Sequence, residues 1–161
     1  MGSCAMTKAQ NSEDKVLYQN IDWVADGVFT QGIEGPAVGP DGSLYAVNYQ
    51  QEGTIGRVNG KNQAEQFIRL PNNSIGNGIR FDKQGNMYIA DYINHNILIV
   101  NTEKSSGALL TKVNIYAHSP AMNQPNDIAI TDEELFLLAI QIGLRVKGIY
   151  GGLEKIVALY Y

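Results

Sequence analysis

Asn77-Gly78-Ile79-Arg80-Phe81-Asp82-Lys83-Gln84-Gly85-Asn86-Met87-Tyr88-Ile89-Ala90-Asp91 reads as a strand, a tight polar turn and a second strand. Lys83-Gln84-Gly85 is the turn, with glycine where a positive φ suits a hairpin. Upstream, Glu34-Gly35-Pro36-Ala37-Val38-Gly39-Pro40-Asp41-Gly42-Ser43-Leu44-Tyr45-Ala46-Val47-Asn48 has the same plan around Pro40-Asp41-Gly42. Downstream, Asn126-Asp127-Ile128-Ala129-Ile130-Thr131-Asp132-Glu133-Glu134-Leu135-Phe136 begins a third copy. Gly35, Gly78 and Asp127 correspond, at separations of 43 and 49 residues. Periods of about 40–50 residues mark propeller blades and other repeat arrays.

Each copy continues past its second strand. Residues 54–58 and 96–100 read as third strands. Residues 64–70 read as a fourth, stopped by Pro71, which cannot donate to a ladder. Residues 112–117 are its equivalent in the next copy. Four strands per repeat is the blade pattern, and propellers close with about four to eight blades. The chain is therefore expected to be all-β, a partial propeller of about two and a half blades over residues 16–131. Open strand edges would offer a route to self-association.

Composition narrows the function classes. With 44% hydrophobic and 17% charged residues, a packed core is feasible. The net charge is −4 and Lys and Arg do not cluster, so nucleic acid is excluded as the expected partner. No apolar run approaches the roughly 18 residues of a membrane span. Cys4 is the single cysteine, which excludes a disulfide framework and a Cys-rich zinc site. His95 and His118 are the two histidines, too few for a three-histidine metal site. Any metal would be held mainly by oxygen.

The two ends differ from the middle. Residues 1–15 are polar and aperiodic, and are expected to be a disordered lead. Within them Gly2-Ser3-Cys4-Ala5 resembles the end of a bacterial lipoprotein signal, though no apolar region precedes it. The location is accordingly open between the cytoplasm and a periplasmic lipoprotein. Residues 132–161 contain no Asn, Ser, Thr or Pro, whereas the first 131 residues contain 15 Asn. Six of the twelve leucines fall in these last 30 residues. The run Leu135-Phe136-Leu137-Leu138-Ala139-Ile140 fits a buried strand or a short helix.

Three pieces together resemble the family of gluconolactonase, senescence marker protein (regucalcin) and luciferin-regenerating enzyme. They are Glu34-Gly35-Pro36 with Pro40-Asp41-Gly42-Ser43-Leu44-Tyr45, then Asn77-Gly78-Ile79-Arg80-Phe81-Asp82, then Pro125-Asn126-Asp127-Ile128-Ala129. The match covers roughly residues 17–136. The resemblance implies a six-bladed propeller and metal-dependent hydrolysis of a small-molecule lactone or ester. It implies that Glu34 is a metal ligand in the central channel and that Asn126 lies by metal and substrate. Asn77 holds the same inner-strand position one blade earlier, as a substrate-binding candidate. The implied cofactor is a divalent metal, calcium foremost, which suits hard oxygen ligands. The family draws further ligands, and its base, from later Pro-Asn-Gly and Pro-Asp-Gly motifs. Neither motif occurs after Asp127 here.

The tail admits a reading-frame explanation. Reverse translation of Leu138-Ala139-Ile140-Gln141-Ile142-Gly143, regrouped one base earlier, can encode Phe-Ser-Asn-Pro-Asp-Trp. The restored run would be Leu-Phe-Phe-Ser-Asn-Pro-Asp-Trp, parallel to the second strands of the earlier copies and similar to the family's continuation. The expectation is an out-of-frame tail; a divergent tail or an unrelated fusion is the alternative.

Each candidate also has a plainer role. Glu34 can be a solvated carboxylate at a strand start, and Asn77 and Asn126 can be turn residues. Asp127 is expected to bond local backbone N–H groups. His95 and His118 read as lone imidazoles in loops. Tyr45, Tyr88 and Phe136 recur at one blade position and are expected in the core, and Trp23 in packing of the first strand. Residues 87–97 also resemble an NHL repeat, whose propellers mostly bind partners. A binding module and a non-functional frameshift product are therefore the alternatives to an enzyme.

Overall fold

The computed structural model describes residues 21–105, 108–120, 122–131, 136–142 and 153–159. The 1–15 lead, with Cys4, and most of the 132–161 tail lie outside the described residues. All regular elements described are strands. They are β1 (Ala37–Val38), β2 (Leu44–Val47), β3 (Thr54–Gly60), β4 (Gln63–Arg69), β5 (Gly76–Phe81), β6 (Met87–Asp91), β7 (Asn96–Ser105), β8 (Ala108–His118), β9 (Pro125–Ile130), β10 (Phe136–Ile142) and β11 (Leu153–Leu159). Among the described residues no helix is long and apolar enough to cross a membrane.

The strands form three antiparallel sheets in chain order: β1-β2-β3-β4, β5-β6-β7-β8 and β9-β10-β11. Each is one repeat. The hairpin turns form as the sequence requires, with Gly42 at φ 78° and Gly85 at φ 88°. In each turn an aspartate ties the loop to the next strand. Asp41 accepts from Ser43 N–H at 3.0 Å and from the Tyr45 hydroxyl at 3.2 Å. Asp82 accepts from Asn86 N–H at 2.8 Å and from the Tyr88 hydroxyl at 3.1 Å.

Strand β6, Met87–Asp91, is buried at every position, the apolar residues 87–90 and the closing Asp91 alike. A strand covered on both faces needs no polar alternation. Its period of two instead divides it between two cores. Met87 and Ile89 pack with Tyr45, Val47 and Ile55 of the first sheet and with Leu70 just after β4. Tyr88 and Ala90 pack with Met122 and with Ile128 of the third. The second sheet is thus sandwiched face to face between its neighbours.

Several expectations are refined. The first strand of the first repeat is only two residues long, because Pro36 and Pro40 bracket it. The outer strands run longer than their apolar runs, reaching Ser105 in β7 and starting at Ala108 in β8. Within the run at 135–140, open between strand and helix, the described residues 136–140 belong to strand β10, paired with β9 and β11. Tyr45 and Tyr88 are buried as expected, whereas the side chain of Phe136 lies outside the described part. Trp23 is not in a strand. It sits in a bend, 46% exposed, and its carbonyl accepts from Asn62 N–H at 2.9 Å.

Candidate functional site

The three candidate residues stand at equivalent places. Glu34 precedes β1, Asn77 is the second residue of β5 and Asn126 the second of β9. The inner strands therefore begin on one rim, and two close approaches bring their heads together. Gly35 has φ 56°, and a Cβ there would overlap the carbonyl of Asn77. Only glycine lets the chain after Glu34 lie against β5. A Cβ on Gly78 would lie 2.8 Å from Cα of Asp127 and 3.0 Å from the carbonyl oxygen of Asn126. Between these contacts the side-chain amide of Asn77 donates to Oδ1 of Asn126. The Glu34 carbonyl accepts from Val47 N–H at 3.2 Å, which fixes the backbone, and the residue itself is exposed.

The side-chain donors these three residues offer are oxygens: the Glu34 carboxylate and the amide carbonyls of Asn77 and Asn126. They suit calcium or magnesium in kind. In number they are a partial set, since calcium takes about six to eight oxygens. Among the described residues no group of three His, Cys, Asp or Glu gathers to hold a metal.

Asp127 bonds its own strand, accepting from Ile128 N–H at 2.8 Å. It also pairs with Arg80 at 2.5 Å, a partner the sequence reading missed. The signal was available: Gly78 and Arg80 are two apart and so share one face of β5. Gly78 leaves room for β9 there, and the longer Arg80 reaches across to Asp127.

His118 requires a correction. It is not a lone imidazole, because its Nδ1 lies 2.8 Å from Oδ1 of Asn96. The reason is register: His118 ends β8 directly opposite Asn96, which begins β7. His95 lies in the turn before β7 with φ 56°.

At the opposite rim a cleft of about 240 Å³ opens between the first two sheets, lined by Tyr45, Phe67, Phe81 and Met87, with Asp41 and Arg57 beside them. Arg57 pairs with Asp41 at 2.5 Å. Burial pushes Asp41 up, but bonds from Ser43, Arg57 and Tyr45 outweigh it and hold this carboxyl below its ordinary value. Burial, and then the charge of Asp41, push the Tyr45 phenol up to about 12.

No family model matches the sequence, and no curated protein matches it. Solved structures do. A catalytically inactive virginiamycin B lyase from Staphylococcus aureus, with quinupristin, aligns at TM-score 0.53 and 16% identity, over 80% of this chain and 41% of that one. A putative oxidoreductase (glucose dehydrogenase) from Thermus thermophilus aligns at TM-score 0.51 and 14% identity, over 79% of this chain and 45% of that one. Both are β-propeller proteins, so the chain is all-β with the architecture of a partial β-propeller. It spans less than half the length of either.

Proposed function

We propose that this chain is an arc of a metal-dependent lactone or ester hydrolase of the gluconolactonase type, carrying part of the site. The observation that supports it is the gathering of Glu34, Asn77 and Asn126 at the heads of inner strands, through Gly35 against Asn77 and the Asn77–Asn126 bond. In this reading Glu34 gives the anionic donor and Asn126 a neutral one to a divalent cation, calcium foremost. Such a cation, when bound, polarises a carbonyl and lowers the pKa of water. Asn77 commits its amide N–H to Asn126, which orients that amide and leaves Oδ1 of Asn77 as an acceptor toward substrate. The remaining ligands and the base would come from other blades of a ring. Residues 132–161 are, in the same reading, an out-of-frame tail where further blade sequence would stand, and sequencing the gene with its downstream DNA tests this.

Calorimetric titration of the 161-residue chain with calcium is the direct experiment. The expected result is weak binding, in the range of about 10⁻⁴ to 10⁻³ M, further weakened at least tenfold by Glu34→Gln. Binding indifferent to Glu34→Gln would overturn the ligand assignment. A second reading, a propeller that binds a partner, draws on the NHL-like run at residues 87–97. Calcium-independent behaviour throughout, with no lactone hydrolysis by a full-length form, would favour it.

A further inference from the structure

Four residues of the second sheet form one cross-strand row at the rim where Asn77 lies. Gly76 pairs with Asp91, Asp91 with Asn96, and Asn96 with His118. Directly paired residues project to the same face. Asp91, Asn96 and His118 therefore stand side by side, over the core shared with the first sheet. A register shift in the β7–β8 ladder lies just beyond, between Ile97 and Leu98. Ala117 there faces the other core, which leaves His118 on the row's side.

Asp91 is fully buried. Its Oδ2 accepts from the Ser74 hydroxyl at 2.7 Å and from Nδ2 of Asn96 at 3.0 Å, and its Oδ1 from Asn94 N–H at 3.3 Å. A carboxylate only accepts. The amide nitrogen of Asn96 must therefore face Asp91, and its Oδ1 must face His118. An amide oxygen also only accepts, so Nδ1 of His118 must carry the proton. The tautomer of a histidine is set by the bond its other nitrogen makes. Asn96 is itself buried, at 5% exposed, which favours protein partners for its amide, whereas His118 is exposed.

We infer that the row Asp91–Asn96–His118 holds His118 as its Nδ1–H tautomer and so makes Nε2 a preset, solvent-facing proton acceptor on the rim. This is a general-base position separate from Glu34, Asn77 and Asn126. Three strand spacings of about 4.8 Å separate β5 from β8, so His118 serves chemistry at the outer part of the rim and not at the inner-strand heads. The inference stands independently of the lactonase reading. His118 is here a positioned base, with Asn96 and Asp91 as positioning residues.

The test is ¹⁵N NMR of the full chain labelled at histidine, read at a pH where the imidazoles are neutral. The chain has only two histidines, and His95→Gln assigns both. The expected result is Nδ1–H over Nε2–H at His118 by about ten to one, from the strength of a part-buried bond whose acceptor is fixed by Asp91. Asn96→Ala should collapse that ratio toward the Nε2–H form, and Asp91→Asn should reduce it by freeing the Asn96 amide to turn. A wild-type His118 found mainly as Nε2–H overturns the inference, and that reading needs no variant to fold. A ratio unchanged in a folded Asn96→Ala protein overturns it as well.

Discussion

Asn77 donates its side-chain amide to Asn126, 49 residues later in the chain. The bond joins the heads of β5 and β9, which belong to different sheets. Both residues are half-buried. Asn77→Ala removes the donor and leaves Oδ1 of Asn126 without it. The expected loss is about 0.5–1.5 kcal/mol of stability, read from the urea midpoint at constant slope. No shift would mean that water replaces the bond without cost.

Gly35→Ala should cost considerably more than Gly27→Ala. Both glycines have positive φ, 56° and 80°. Nothing lies within 4 Å of a Cβ on Gly27, so that variant carries only backbone strain, about 1 kcal/mol or slightly more. At Gly35 the new methyl also meets the Asn77 carbonyl, and backbone must move. The expected difference between the variants is at least about 1–3 kcal/mol. Equal midpoints in denaturant would show that the chain after Glu34 does not rest on β5.

Tyr45 gives the alkaline limit a measurable component. Its folded value is raised to about 12 from 10.0. The folded state therefore holds this proton more tightly than the unfolded chain. The contribution is fully present below pH 10 and is lost as pH rises through about 12. Tyr45→Phe should flatten the fall in stability between those limits, measured by thermal melting at stepped pH. Asp41 acts at the other end. Its lowered value contributes stability above the ordinary carboxylate range, lost as pH falls through the folded value. The Asp41 side chain is 35% exposed, so its pair with Arg57 is limited to about 1 kcal/mol. Asp41→Asn should lower the midpoint at about pH 7 by no more than that and leave it unchanged at about pH 2.

Ile89→Ala should be among the most damaging single changes. Ile89 is fully buried in the core between the first two sheets. Its γ-methyl lies 2.8 Å from where a Cβ on Gly76 would be, so the surroundings are already tight. A loss of about 2–5 kcal/mol is expected, read by denaturant unfolding. A loss below about 1 kcal/mol would mean that the two sheets do not share this core.

The repeat was legible because turn chemistry is local. Pro40-Asp41-Gly42 and Lys83-Gln84-Gly85 name their hairpins from within three residues, and the blade spacing follows from them. The placement of Glu34, Asn77 and Asn126 at matching strand heads followed from the same alignment. What the sequence hid was pairing at a distance. Arg80 with Asp127, and His118 with Asn96, depend on which sheet faces which and on the register of an outer strand. Trp23 misled because its size suggested packing, whereas its neighbours Asp22, Asp26 and Gly27 hold that segment at the surface. The length of β1 was set by two prolines more than by the apolar pattern between them.

The first four residues of β6 serve as a party wall, with Met87 and Ile89 lodged in one of two adjoining rooms and Tyr88 and Ala90 in the other. Such a wall cannot be taken down for one tenant alone. Amide hydrogens along it should exchange only when both interiors open together, which makes this central ribbon the slowest to exchange among the described strands.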